Sequence, residues 1–212
     1  LAGRPYSEKI TQVIASLAAM PQGPNAKPLL QVRTPPQRIA LVHITPDRGL
    51  SGGLVSNMNR KAAAFIMTEG LPTSVVAVGR KGLEFMRRTH QDVVAEFTSL
   101  GDKPGLLDTL PISRIVIDDF TSGKVDAVYL AYARFISTAV QTPVVEKLLL
   151  VTPAPATGGV SADYIFEPEP EAVLDALLPR FVEMEVYHAI LESIASEQSA
   201  RMMAMRNATD NA

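Results

Sequence analysis

"RIALVHI", residues 38–44, is an almost continuous apolar run, the pattern of a strand covered on both faces. It opens the series that most constrains the fold. "SGGLVSNMNRKAAAFIMTEG" follows with Leu54, Met58, Ala62 and Phe65 on one side of a helix, and "SVVAVG" reads as a second strand. "KGLEFMRRT" is a short helix closed by basic residues, which suit a helix C-terminus, and "DVVAEF" is a third strand. "GLLDTLPISRIVIDDFTSG" carries helical periodicity around Leu107, Leu110, Ile115 and Phe120, with Pro111 marking a kink or a late start. "KVDAVYLAYARFIST" and "TPVVEKLLLVTP" read as an antiparallel strand pair. The β-α-β-α-β-α order dictates a mostly parallel sheet of about five strands with right-handed crossovers. Residues 38–152 therefore read as a Rossmann-like α/β domain.

The flanks differ. Residues 1–20 hold a helix with Tyr6, Ile10, Val13, Ile14 and Leu17 at helical spacing, and Pro5 suits its first turn. Residues 21–37 contain Pro21, Pro24, Pro28, Pro35 and Pro36, which makes them a linker. Residues 153–178 form a turn-rich connector and a short helix that Pro179 ends, or after which it begins the next. From there to residue 212 there is neither Gly nor Pro. Phe181, Met184, His188, Leu191, Ala195, Gln198, Met202 and Met205 alternate steps of three and four, and Ile190 and Ile194 widen the stripe. This is a heptad-like seam on a helix of about 50 Å. The α/β body should be roughly 40 Å across, so the helix overhangs it. An apolar stripe of that kind needs a partner. The sequence stops inside this helix without a cap, and it begins at Leu1, as a processed chain or a fragment would.

Composition narrows the function. A net charge of −2 gives no global nucleic-acid or membrane-surface signal. With no cysteine, a disulfide framework, a thiolate nucleophile and thiol regulation are excluded. No apolar run is long enough to span a bilayer.

Several motifs could carry chemistry. "ITPDRGLSGG", residues 44–53, lies between strand and helix, where backbone N–H groups could face a phosphate. Gly49, Gly52 and Gly53 do not fit the dinucleotide fingerprint, no Gly-Lys-Ser/Thr follows, and the acidic ribose-binding residue expected about 20 residues on would have to be Glu69, just beyond the expected helix end. The competing reading is a tight turn in which Asp47 or Ser51 caps the following helix and Arg48 bonds locally. His43, His90 and His188 are isolated, with only Met184/His188/Glu192 at a weak ligand spacing, and read as solvated or partner-facing. Asp118 and Asp119 are neighbours that point apart on a helix. The basic run Arg80, Lys81, Arg87, Arg88 either steers an acidic partner or closes its helix. Met202, Met203 and Met205 cannot all face one side, and methionines suit a surface that must repack. No set of residues assembles a nucleophile, a base and an oxyanion hole, so no catalytic, cofactor or metal residues are assigned.

Three segments resemble one family. "ITPDRGLSGGLVSNMNR" is similar to the "DRGL-x-GG" turn of the gamma subunit of F-type ATP synthases. "ALLPRFVEMEVYHAILESIASEQSARMMAMRNATDNA" resembles that family's C-terminal helix, with its "SE-x-x-A-R-M-x-A-M-x-x-A-x-x-N" run, and "RPYSEKITQVIASLA" the later part of its N-terminal helix. The resemblance implies a rotor shaft that does no catalysis itself. Its terminal helices form an antiparallel coiled coil inside a ring of alpha and beta subunits, and the α/β domain meets the epsilon subunit and the membrane rotor ring of c subunits. It implies coupling to proton or sodium flow, and a peripheral position at the cytoplasmic face of the bacterial inner membrane. Family members extend further at both ends, so the top of the shaft is expected to be absent here. The candidate partner contacts are Arg80, Lys81 and Arg87 on the domain, and Arg201, Met202, Met205 and Arg206 on the last helix. The alternatives are a nucleotide-binding α/β protein using the PDRGLSGG turn, which calorimetry with ATP, ADP and NAD separates, and a coiled-coil scaffold.

Overall fold

The structure, a computed structural model, describes residues 35–149 and 170–211. The expected N-terminal helix, most of the proline linker and most of the connector before the last helix lie outside them. The elements are β1 (Ile39–Ile44), α1 (Leu54–Glu69), β2 (Thr73–Val78), α2 (Arg80–Arg88), β3 (Asp92–Phe97), α3 (Leu106–Thr121), β4 (Ala127–Phe135), β5 (Gln141–Leu149) and α4 (Pro170–Asp210).

One five-stranded sheet runs in the order β3-β2-β1-β4-β5, parallel throughout except for the antiparallel β4–β5 pair. Every residue of β1 is buried, as its apolar run requires of a strand with helices on both sides. Side chains alternate between its faces. Ala40, Val42 and Ile44 pack with Ile112, Val116 and Phe120 of α3 and with Val182, Val186 and Ile190 of α4. Leu41 packs on the other side with Ala62 of α1 and Met86 of α2.

Two helices depart from their expected faces. α3 runs through Pro111 without a late start. Pro111 and Leu107, whose carbonyl the proline leaves without its helix donor, are both exposed. The buried stripe of α3 is Thr109, Ile112, Ser113, Val116 and Phe120, while Leu107 is 78% exposed; of the expected residues, only Phe120 lies fully in the core.

α4 is one helix of 41 residues with Pro179 inside it, not at its start. An interior proline costs about 3 kcal/mol, and here Leu178 and Val182, both buried beside it, offset that cost. The stripe against the α/β domain is Leu178, Val182, Val186, Ala189, Ile190, Ser193, Ser196 and Ala200. The expected seam lies on other faces: Phe181, Met184, His188 and Leu191 are half-buried, and Ala195, Gln198, Met202 and Met205 are exposed. The helix is thus two-sided. Large residues dock its first half on the domain and small ones its second half, Phe181 and Ile194 pack at the margin of that contact, and the heptad-like stripe is exposed at Ala195, Gln198, Met202 and Met205 among the described residues.

Candidate functional site: the junction of the turn, the sheet edge and the long helix

In doubly wound folds a ligand sits beyond the carboxyl ends of the strands, where the connections reverse direction. In this sheet β1 and β4 meet there, and the crossing is filled by α4. The Ser196 hydroxyl donates to the Ala133 carbonyl at 2.9 Å, and the Phe135 N–H donates to Glu192 Oε1 at 3.2 Å. Ala200 closes a small apolar cluster with Leu54 and Met58 of α1 and Ala133 of β4. One turn further, Gly52 lies against Ala204, whose methyl would stand 4.0 Å from a Cβ at Gly52.

The second place where such a fold could hold an anion is a helix N-terminus after a strand. That of α2 is sealed by the chain itself. The Arg80 N–H donates to Asp47 Oδ1 at 2.9 Å, the Lys81 N–H to the Pro46 carbonyl at 3.1 Å, and the Gly82 N–H to Thr45 Oγ1 at 2.7 Å. "Thr45-Pro46-Asp47" is therefore a cap delivered from β1 to α2. The sequence reading assigned Asp47 or Ser51 to the start of α1, and the structure corrects it. α1 begins after Gly53 without any side-chain cap, Asp47 is engaged with Arg80 and Ser99, and the buried Ser51 hydroxyl has no partner. The turn rises at Leu50, held at φ 67 and 74% exposed.

Gly79, which starts α2, sits at φ 93, and a Cβ there would lie 1.8 Å from the Thr45 carbonyl oxygen. No side chain fits, so the β1 end and α2 make direct backbone contact.

His43 is neither solvated nor partner-facing, contrary to its sequence reading. It is fully buried in β1, its Nε2 2.8 Å from Asn59 Oδ1 and its Nδ1 without a partner. An amide oxygen only accepts, so Nε2 carries the proton. Burial pulls its pKa down from 6.5 to about 4, against the opposing effect of the Asn59 bond. The unfolded chain therefore takes up a proton that the folded one refuses, and stability falls as pH drops below the unfolded value of 6.5. Urea unfolding at pH 7.5 and pH 5 should differ by about 2 kcal/mol from this residue. His43→Leu with Asn59→Leu should abolish that component; an unchanged pH slope would show that it arises elsewhere.

The candidate contact residues fall on two separate surfaces. On α2, Arg80 is exposed, Lys81 pairs with Glu84 at 3.1 Å and Arg87 pairs with Glu96. Exposed ion pairs of this sort contribute little to stability. On α4, Arg201 pairs with Glu197, Met202 and Met205 are 54% and 43% exposed, and Arg206 lies 3.7 Å from Asp210. Burial holds the Glu197 carboxyl above its usual range, while Arg201 opposes the shift. Asp118 is exposed, as a solvated helix face requires, whereas Asp119 is largely covered and pairs with Lys124 at 3.0 Å. A groove of about 680 Å³ between α1 and α2, lined among others by Asn59, Arg60, Lys81, Phe85 and Arg88, is open to solvent. Among the described residues no cluster of three metal-type side chains occurs, and no helix is long and apolar enough to cross a membrane.

Sequence reasoning missed Thr45 as a cap of α2, and the residues Glu192, Ser196 and Ala200 that dock α4. A signal was present: Ala189, Ser193, Ser196 and Ala200 are small residues at steps of four and three, a spacing that lets a helix approach a sheet edge closely.

The family model described as ATP synthase matches residues 1–212. The chain is 64% identical over 213 residues to the ATP synthase gamma chain of Dehalococcoides mccartyi (strain CBDB1), covering 100% of this chain and 74% of that one. It is 49% identical to the gamma chain of Roseiflexus sp. (strain RS-1) over 215 residues, again covering 100% and 74%. The fold is similar to a chain of the central stalk and c-ring of Tetrahymena thermophila mitochondrial ATP synthase. The TM-score there is 0.68 at 23% identity, covering 96% of this chain and 99% of that one. It is also similar to a rotor chain of Euglena gracilis mitochondrial ATP synthase, with a TM-score of 0.61 at 18% identity, covering 99% and 88%.

Proposed function

This chain belongs to the ATP synthase gamma-chain family, and on that premise we propose that it acts as a rotating, non-catalytic shaft. The observation that carries this reading is the filled sheet edge. Where a doubly wound fold would hold a nucleotide, α4 is bonded through Glu192 and Ser196, and its heptad-like stripe is left for a second helix. The α/β domain is then a handle rigidly fixed to a helix, and no substrate pocket is needed.

In this reading the N-terminal helix covers the stripe from Phe181 to Met205, and the pair turns within a ring of alpha and beta subunits that perform the chemistry. The epsilon subunit and the c ring engage the α/β domain, with Arg80, Lys81 and Arg87 among the contacts. Arg201 and Arg206, on the outer face of the pair, meet the ring, while Met202 and Met205 close the seam at its upper end. A flexible, modestly charged surface suits a part that must slide past successive partners without a deep energy minimum at any angle. Proton or sodium flow through the membrane rotor drives the motion, at the cytoplasmic face of the membrane.

Calorimetry tests the rival nucleotide reading. Titration with ATP, ADP and NAD should give no tight binding; a stoichiometric, saturable heat with any of them would favour the PDRGLSGG turn as a nucleotide site.

A further inference from the structure

Asp47 joins segments far apart in sequence. Its Oδ1 accepts the Arg80 N–H at 2.9 Å, at the start of α2, and its Oδ2 accepts the Ser99 N–H at 2.8 Å, just after β3. Ser99 itself has φ 62, an uncommon conformation for a non-glycine residue. The turn that Asp47 heads then reaches the long helix through Gly52 against Ala204, and α1, which follows it directly, packs Leu54 and Met58 with Ala200. A carboxylate that accepts two backbone N–H groups fixes the root of the turn in a way that neither bond does alone, because each removes a different rotational freedom.

We propose that Asp47 is a positioning residue that holds the turn 48–53 against α4, so that twist of the α/β domain is passed to the helix at Ala200 and Ala204 instead of being absorbed in the loop. The proposal rests on the rotor reading. Other bonds fix α4 to the sheet lower down, at Glu192 and Ser196, and the turn is the contact nearest the exposed end of the helix. Loss of Asp47 therefore softens the junction without detaching the helix.

The test uses the assembled ATP synthase with wild-type, Asp47→Asn and Thr45→Val chains. An amide keeps one acceptor and presents an NH2 group to the other N–H, so one of the two bonds is lost. Thr45→Val removes a cap of α2 from Gly82 but leaves Ser99 and the turn tied to Asp47. Proton pumping per ATP hydrolysed and amide exchange at Arg80 and Ser99 are measured together. In Asp47→Asn, exchange at one of these amides should rise about tenfold or more, and pumping per ATP should fall while hydrolysis continues. Thr45→Val should keep the wild-type pumping ratio.

A wild-type ratio in Asp47→Asn overturns the proposal, as does an equal loss in Thr45→Val, which would mark general softening of the domain. If Asp47→Asn does not assemble, Ala204→Gly measured against Ala195→Gly decides. Both weaken the helix alike, and only the first withdraws a methyl that faces the turn at Gly52, so a ratio lowered in Ala204→Gly alone supports the path through the turn and equal ratios overturn it. A wild-type complex that hydrolyses ATP without pumping sinks the rotor reading itself, a different failure from that of Asp47.

Discussion

Gly79→Ala should abolish folding of the α/β domain, or cost about 4 kcal/mol or more, the range reserved for severe steric and backbone effects. Two penalties coincide at this position. The backbone sits at φ 93, outside the region that L-residues readily adopt, and the new methyl would stand 1.8 Å from the Thr45 carbonyl oxygen and 2.9 Å from its hydroxyl. Neither neighbour can retreat. The Thr45 N–H donates to the Val78 carbonyl at 2.8 Å, and the Gly79 N–H donates to the Phe97 carbonyl at 2.8 Å, so three strand ends are fixed around this point. Small domains are stable by about 5–15 kcal/mol in total, which makes a loss of this size visible as aggregation or a large fall in Tm. Gly70→Ala is the control. It also has a positive φ, of 61°, but nothing lies within 4 Å of its added Cβ, so it should cost only about 1–2 kcal/mol. Urea unfolding of both variants separates the steric clash from the conformational cost. Equal, mild losses would show that α2 can shift away from β1.

Leu191→Pro combined with Ala195→Pro should leave ATP hydrolysis running while proton pumping stops. Each proline removes one hydrogen bond from the helix interior and drives its ring into the preceding turn, at about 3 kcal/mol or more. Leu191 is half-buried and Ala195 exposed, on the side away from the sheet-facing stripe, so the α/β core loses no fully buried side chain. The damage is to the continuity of α4 within its anchored stretch, beside Glu192 and Ser196 and below the end bearing Met202 and Met205. A shaft that kinks on each turn transmits little torque, while catalysis on neighbouring subunits persists. Pumping per ATP in reconstituted vesicles reads the effect directly, and a pumping ratio equal to that of the wild type would contradict a torque-bearing α4.

The strands and most helices could be read from the sequence because their signals are local. Six consecutive buried residues in β1 are written as an apolar run, and β3 spans Asp92–Phe97, the six residues its pattern marks. The antiparallel pairing of β4 and β5 followed from a connection too short for a crossover. What could not be read depends on contacts distant in the chain. Asp47 looks like a cap for the helix that follows it, yet its partners are 33 and 52 residues away. His43 could not be placed from spacing, because its partner Asn59 lies on a helix crossing above it. In α4 the large apolar residues drew the reading toward one seam, while the face that meets the sheet is partly built of Ala and Ser. Close approach to a sheet edge selects small side chains, which carry little hydrophobic signal. Pro179 was read as a boundary because local propensity disfavours it, and burial of its neighbours decides otherwise.

A rotor requires α4 to turn relative to catalytic partners. The most direct measurement is co-purification of this chain with alpha, beta and epsilon subunits, followed by mass determination and observation of a probe fixed to Lys103 on the α/β domain during ATP hydrolysis. A rotating shaft gives a complex with a single copy of this chain and a probe that rotates in one direction as ATP is consumed. A complex in which the chain is present in several copies, or in which the probe stays still while hydrolysis proceeds, would contradict it.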